Sequence, residues 1–115
     1  MTITLPLPSK KLSPNARLSW KGRSRLTRHA RRVAYLHALA AIASNGRPKF
    51  TRYRLRFYFP DRRRRDDDNA SASCKAYRDG IADALQIDDH SLRQSAAPEM
   101  LHDATNPRLE FILLP

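Results

Sequence analysis

The segment from Pro60 to Lys75, PDRRRRDDDNASASCK, holds the side chains best suited to chemistry in this chain. A run of arginines leads directly into the aspartates Asp66–Asp68. Carboxylate oxygens suit Mg²⁺, or Mn²⁺ in its place, and these ions share the oxygens of a bound phosphate. The segment therefore predicts a phosphodiester that is held by cations and hydrolysed at a metal held by aspartates. The basic run consists of Arg62, Arg63, Arg64 and Arg65.

The spacing of the aspartates favours one shared ion. Residues two apart in an extended segment project to the same side, so Asp66 and Asp68 can converge while Asp67 points elsewhere. Asp68 or Asn69 can also cap the next helix, whose positive end lowers the pKa of a carboxylate. A calcium-binding loop does not fit, because the twelfth position counted from Asp66 is Tyr77 rather than glutamate.

Charge is distributed unevenly along the chain. The net charge is +11, which predicts a polyanionic partner. No acidic residue precedes Asp61, so all eleven acids lie in the second half. Acids oppose phosphate binding, and metal binding explains Asp66 and Asp68 better than solvation does. Solvation accounts for several of the later acids.

Length and composition limit the class of protein. At 115 residues the chain predicts a single domain, 1–115, small enough to gain from dimerisation. The single cysteine, Cys74, rules out an internal disulfide and reads as a small buried residue. A signal peptide and a membrane-spanning run are both absent from the sequence, so we expect a cytoplasmic protein without a membrane partner.

A basic loop and a helix are expected in the first half. Thr2–Leu5 alternates as a short strand, and prolines then favour an extended loop. In the following polar stretch, Asn15–Arg25, Trp20 reads as a core anchor in preference to a base-stacking residue. Phosphate contacts are expected from the cations of this stretch, among them Lys21, Arg23 and Arg25.

Thr27–Ser44 reads as a helix that stops at Asn45-Gly46, with Pro48 beyond it. Arg28, Arg31 and Arg32 load its first turns with positive charge, against the preference of the helix dipole. Its predicted apolar side consists of Val33, Tyr35, Leu36, Leu39, Ile42 and Ala43.

The clearest strand is Phe50–Phe59, which alternates with a period of two. One face carries apolar residues for the core. The other face carries three arginines and no acid, which favours phosphate binding over a merely solvated sheet surface. The core face holds Tyr53, Leu55, Phe57 and Phe59, and the basic face holds Arg52, Arg54, Arg56 and Tyr58.

A second helix is predicted over Asn69–Leu85, with a buried side formed by Cys74, Tyr77, Ile81 and Leu85. Gly80 within it suggests the close approach of another backbone. Two strands follow, a weakly patterned one in Ser91–Leu101 and a clear one at Arg108–Leu114. The expected fold is therefore α+β, with two helices on a small mixed or antiparallel sheet in the order β-α-β-α-β-β.

The motif PDRRRRDDDN resembles the signature of the RusA family of Holliday junction resolvases, the crossover junction endodeoxyribonucleases. In that family a basic run precedes D-x-D-N. The resemblance continues through Lys75, Asp83-Ala84-Leu85 and Asp88-Asp89, and it is specific from Pro60 to about Leu92. It departs in two places. Asp67 occupies a position that is usually apolar, and Lys75 comes three residues later than usual.

The resemblance implies a Mg²⁺-dependent, structure-specific endonuclease that cleaves four-way DNA junctions in recombination and repair. It implies that Asp66, Asp68 and Asp89 bind the metal and that Lys75 assists at the phosphate. The arginine run would hold the junction backbone. The residues alone leave two alternatives open. Lys75 could pair with Asp79 one turn on, and Asp88-Asp89 could be a polar turn.

An unbroken helix over Asn69–Leu85 would be roughly 25 Å long. Asp89 would then lie too far from Asp66 and Asp68 of its own chain to share an ion. This predicts a homodimer with composite active sites, in which Asp89 of one chain completes the site of the other. The alternative function is a non-catalytic, basic nucleic-acid-binding protein with a degenerate metal site. A nuclease acting on RNA is a third reading.

Overall fold

The computed structural model describes residues 1–14, 16–47 and 49–115. The expectations placed on Asn15 and Pro48 lie outside these ranges. Within them the fold is mixed α+β, as predicted, but it has three helices rather than two. The strands are β1 (Thr2–Leu5), β2 (Arg52–Phe59), β3 (Arg93–Gln94), β4 (Glu99–His102) and β5 (Arg108–Leu114). The helices are α1 (Trp20–Asn45), α2 (Asp67–Ser73) and α3 (Lys75–Leu85).

The last strand in the sequence lies in the middle of the sheet. β5 lies between β1 and β2 and is antiparallel to both, while β3 and β4 follow one another along the far edge of β2, parallel to it. The predicted alternation of β2 is confirmed, because Tyr53, Leu55 and Phe57 are buried. Tyr53 stacks on Phe111 of β5 with ring centroids 4.5 Å apart. The core therefore lies on one face of the sheet.

Helix α1 begins at Trp20, earlier than the predicted Thr27. Ser19 supplies the cap, because its hydroxyl accepts a hydrogen bond from the amide of Gly22 at 3.1 Å. Trp20 is 81% exposed, so the prediction that it anchors the core is wrong. The cap at Ser19 places Trp20 in the first turn, where its side chain projects into solvent.

The buried face of α1 also differs from the predicted one. Alanines at steps of four, Ala30, Ala34 and Ala38, are fully packed. Leu36, by contrast, is 49% exposed, and the prediction for it is wrong. Most of the other predicted residues pack only at the margin of the core. Small side chains face inward because another helix lies close against this face.

That neighbour is α3, and Gly80 marks the contact, as the sequence predicted. A Cβ atom at Gly80 would overlap the carbonyl oxygen of Arg31 and lie 3.1 Å from the amide nitrogen of Tyr35. Arg31 also forms a two-bond ion pair with Asp83, at 2.7 and 2.9 Å. The two helices therefore pack backbone to backbone, and their buried residues join those of the sheet in one core.

The predicted single helix over Asn69–Leu85 is divided at Cys74. This residue has φ −93° and ψ 3°, and its amide donates to the carbonyl oxygen of Ser71 at 3.1 Å. The hydroxyl of Ser73 bonds the carbonyl oxygen of Ala70 at 2.6 Å, and such side-chain bonds compete with helical ones. Cys74 is buried as predicted, and burial raises the pKa of its thiol to about 12. The thiol is therefore neutral and inert.

Within the described ranges, none of the helices combines the length and the apolar character needed to cross a membrane.

Candidate nucleic-acid interface and carboxylate groups

The arginine run forms an irregular segment between β2 and α2, and a cleft lies on each side of it. The first cleft has a volume of about 620 Å³ and brings Lys10 of the N-terminal segment to Asp66 and Asn69 at the start of α2. The second cleft, of about 500 Å³, is closed by residues 100–102 of β4. Three of the four arginines line both clefts, and Arg62 lines the second. Cations therefore form the wall between the two clefts.

Arg65 serves to hold this segment in place. Its guanidinium lies 3.8 Å from the centroid of the Phe59 ring and 2.9 Å from the Asp61 carboxylate. It also donates to the carbonyl oxygen of Arg63 at 2.9 Å. The pKa of Asp61 is lowered, first by the backbone amide of Arg63 and then by Arg65. Asp61 therefore stays ionised and fixes the loop.

The other arginines of the run are exposed to solvent. Among the described residues, the ion pairs within the run involve Arg65 and, at a long 3.9 Å, Arg63. Arg62 and Arg64 are left to contact an external anion. The structure thus separates the four predicted DNA-binding arginines into one that shapes the loop and others that are presented outward.

Two substitutions can test this division of roles. Arg64→Ala is expected to weaken DNA binding and to lower the slope of log affinity against log salt by about 1, without changing the melting temperature. Arg65→Ala is expected to lower the melting temperature, because the ring stacking and the Asp61 pair are lost together. Salt titrations and thermal scans of both variants provide the measurement. Equal effects of the two changes on both quantities would contradict the assignment.

The aspartates at the start of α2 are arranged differently from the prediction. Asp66 is the N-cap of α2, and its carboxylate accepts from the amide of Asn69 at 3.0 Å. The prediction of Asp68 or Asn69 as cap is therefore wrong. Asp68 lies inside the first helical turn, so the extended-strand argument for its convergence with Asp66 also fails. Both carboxylates nevertheless remain exposed at the positive end of the helix.

A second carboxylate group follows α3. The ligand atoms of Asp88, Asp89 and His90 lie within 4.8 Å of one another. The pKa of Asp89 is lowered, first by a hydrogen bond with the Asp88 carboxyl and further by His90 and other neighbours. Arg78 of α3 lies 3.5 Å from the Asp89 carboxylate. Sequence reasoning assigned no ligand role to His90, although its place directly after two aspartates was a usable signal.

Asp66, Asp68 and Asp89 do not form one group in a single chain. Across the described ranges, Asp88, Asp89 and His90 form the one set of three acidic, histidine or cysteine side chains close enough to share an ion. The oxygen donors of Asp66 and Asp68 fit Mg²⁺ or Mn²⁺ in chemistry, but these two carboxylates and that of Asp89 do not all come within 4.8 Å of one another. The straight-helix argument for this separation is wrong, because the helix is broken at Cys74.

Lys75 is the first residue of α3 and is exposed. The alternative that it pairs with Asp79 is not observed. Arg78 takes that place, with its guanidinium 3.3 Å from the Asp79 carboxylate. Because Asp79 is engaged by Arg78, the ammonium of Lys75 is available to a phosphate.

The basic face of β2 is not acid-free once the sheet forms. Arg54 and Arg56 each lie 3.4 Å from the Glu99 carboxylate on β4, and Arg56 also lies 3.3 Å from Glu110 on β5. Arg52 donates to the carbonyl oxygen of Pro115. The expectation of an acid-free stripe is wrong, because residues distant in sequence supply the acids. This face is therefore a weaker phosphate site than the arginine run.

The predicted cations before Thr27 also divide into two kinds. Arg23 donates to the carbonyl oxygen of Ala16 at 2.9 Å and so holds the chain entering α1. Lys21 and Arg25 are exposed on the outside of the helix. Only the latter two are placed to meet a partner.

A comparison with models of known protein families finds no match. The chain is 50% identical over 94 residues, 76% of its length, to an uncharacterized protein of Xylella fastidiosa. The chain spans 60% of the length of that relative.

Proposed function

We propose that this protein is a Mg²⁺-dependent endonuclease that cleaves four-way DNA junctions by phosphodiester hydrolysis. One observation carries the proposal: an exposed cationic segment between two clefts leads directly into the carboxylates of Asp66 and Asp68. Phosphate binding and carboxylate chemistry therefore meet within a few residues. The motif's resemblance to RusA-like resolvases supports the same assignment.

Each group has a role in this proposal. Arg62 and Arg64 bind the junction backbone, whose shape rather than base sequence is recognised. Asp66 and Asp68 hold the divalent ion, which when bound would activate water and neutralise developing charge. Lys75 offers a cation to the phosphate at the site. The pKa of Asp89 is lowered, so this carboxylate is ionised at neutral pH and suited to binding a cation.

A homodimer is part of the proposal. Within one chain, Asp66, Asp68 and Asp89 do not come close enough together to share an ion, which supports a site completed by a second copy. Two such sites related by a two-fold axis would suit the symmetry of a four-way junction. We propose that Asp89 is the residue contributed across the dimer.

The experiment is a cleavage assay on a synthetic four-way junction, in Mg²⁺ and in EDTA. A linear duplex that carries the sequence of one junction strand serves as the control substrate. We expect paired cuts in the junction with Mg²⁺, none with EDTA, and little cutting of the duplex. Tight junction binding without cutting in either Mg²⁺ or Mn²⁺ would refute nuclease activity.

A non-catalytic nucleic-acid-binding protein is the second candidate, and the position of Asp66 favours it. The Asp66 carboxylate already serves as a helix cap, and an ion pair between Arg65 and Asp61 holds the arginine run in place. Under this alternative, junction binding would be the same in Mg²⁺ and EDTA, and no product would form.

A further inference from the structure

The outer side of α1 carries a row of cations that the proposed site does not use. They follow one another at steps of four, three and four residues, so they share the helix side opposite the buried alanines. All are exposed. The row spans about 16 Å from its first to its last member at 1.5 Å per residue. We call this row the α1 cationic row; it consists of Lys21, Arg25, Arg28 and Arg32.

The charge of this row is not balanced within α1. The sequence of α1 contains no aspartate or glutamate. Arg31 lies beside the row and pairs with Asp83 of α3. Among the ion pairs found in the described part of the chain, none includes a member of the row. The charge therefore faces solvent uncompensated.

This arrangement costs stability in the free protein. Like charges four residues apart repel each other, and cations in the first turns oppose the helix dipole. A polyanion would remove both costs by neutralising the row. The repeated spacing along one side fits an extended line of charge better than a single small anion.

The start of α1 lies near the first cleft. Ala16, which holds the Arg23 side chain of α1, lines that cleft together with Lys10. Trp20, the only tryptophan in the sequence, is the first residue of α1 and is 81% exposed. The first turn of α1 thus brings an exposed aromatic side chain and the first cation of the row to the vicinity of the cleft.

We propose that the α1 cationic row binds the phosphate backbone of a double-stranded DNA arm that leaves the cleft, with Trp20 contacting that arm. The choice of DNA as the polyanion rests on the proposed function. The contact is to backbone, so it is independent of base sequence and strongly dependent on salt. It requires neither metal nor cleavage.

The test uses Arg28→Gln/Arg32→Gln in the full chain, and the matched control is Arg47→Gln/Lys49→Gln. The control removes the same charge from exposed residues beyond the opposite end of α1. Binding to a linear duplex and to a four-way junction is measured in EDTA across a salt series. We expect the row variant to bind the duplex and the junction about tenfold or more weakly than wild type. The slope of log affinity against log salt should fall by about 2 in magnitude. The control should stay within about twofold of wild type.

Trp20 emission supplies a local readout. Duplex DNA is expected to change the Trp20 fluorescence of the wild type and of the control variant. In the row variant the same change should need a higher DNA concentration. Equal affinity losses in the two variants would overturn the proposal, since only total charge would then matter. A row variant that binds DNA normally but loses phosphatidylglycerol vesicles would also overturn it, in favour of a membrane surface.

The outcomes separate this inference from the nuclease proposal. If DNA binding depends on the α1 cationic row but the junction is not cleaved in Mg²⁺ or Mn²⁺, nuclease activity is refuted and DNA binding by the row is retained. If the row variant cleaves the junction and its DNA affinity and salt slope are unchanged, DNA binding by the row is refuted and nuclease activity is retained.

Discussion

Replacing Asp68 with asparagine is expected to lower the rate of junction cleavage about a thousandfold. The proposed metal loses a charged ligand, and about 4 kcal/mol of lost transition-state stabilisation corresponds to three powers of ten. Asp68 is exposed in the first turn of α2, so the melting temperature should hardly change. Junction affinity should be retained or slightly increased, because a negative charge beside the DNA backbone is removed. Single-turnover cleavage and binding in EDTA measure the two effects separately.

The neighbouring aspartates supply the controls for this experiment. Asp67→Asn removes the same charge from the adjacent exposed residue and is expected to cut within a few-fold of wild type. Asp66→Asn should be as inactive as Asp68→Asn while keeping its helix, because asparagine is an equally good N-cap. Similar small effects of all three changes would contradict metal binding at this turn and favour the non-catalytic candidate.

Replacing Gly80 with alanine is expected to destabilise the fold by about 3 kcal/mol, at the upper end of the usual cost of overpacking. The new methyl group would overlap the carbonyl oxygen of Arg31, and neither helix backbone can move without disturbing the alanine face of α1. This cost outweighs the roughly 1 kcal/mol that alanine gains over glycine in a helix. Thermal unfolding should show a decrease of more than about 10 °C in melting temperature.

Gly22→Ala is the matched control for this substitution. Gly22 also lies in a helix, but a methyl group there would meet side-chain atoms alone, the Ser19 hydroxyl at 3.2 Å and Leu18 Cδ2 at 3.9 Å, and no backbone atom. The free energy of unfolding of Gly22→Ala should therefore stay within about 1 kcal/mol of the wild-type value. If Gly80→Ala were as stable as this control, the close contact between α1 and α3 would be wrong.

The sequence predicted those parts of the fold in which burial depends on the order of residues within one helix or strand. The alternation of β2 and β5 and the buried side of α3 follow from side-chain periodicity alone. Gly80 predicted a close backbone contact because a glycine in mid-helix needs a packing reason. Each of these features depends on the order of residues within one element.

Features that depend on distant partners were not predicted. Glu99 and Glu110 reach the arginines of β2 only after β4 and β5 join the sheet, and the order of those strands is not a local property. The inward face of α1 is alanine because α3 lies close against it, and hydrophobicity alone therefore favoured Leu36 instead. At the break before Cys74 the Ser73 side chain competes with the helix for a backbone carbonyl, a signal weaker than the apolar spacing that runs through this segment.

The sequence named the residues of the candidate site, but it did not show how they are arranged. The sequence singled out the arginine run and the aspartates, but it gave no way to see that Arg65 is used to hold the loop. The sequence also gave no sign that Arg78 lies beside Asp89, because Arg78 belongs to no motif and reaches Asp89 only through its position on α3. The two carboxylate groups became distinct only in three dimensions.

The central position of β5 affects how the protein can be made. On the ribosome, β1 and β2 emerge long before the strand that must join them, and the sheet cannot close until residue 114 is outside the exit tunnel. Until then both strands offer open edges that invite misfolding. The sheet of a nascent chain therefore stays incomplete until β5 has emerged, so translation that stops short of β5 should yield a product for proteolysis.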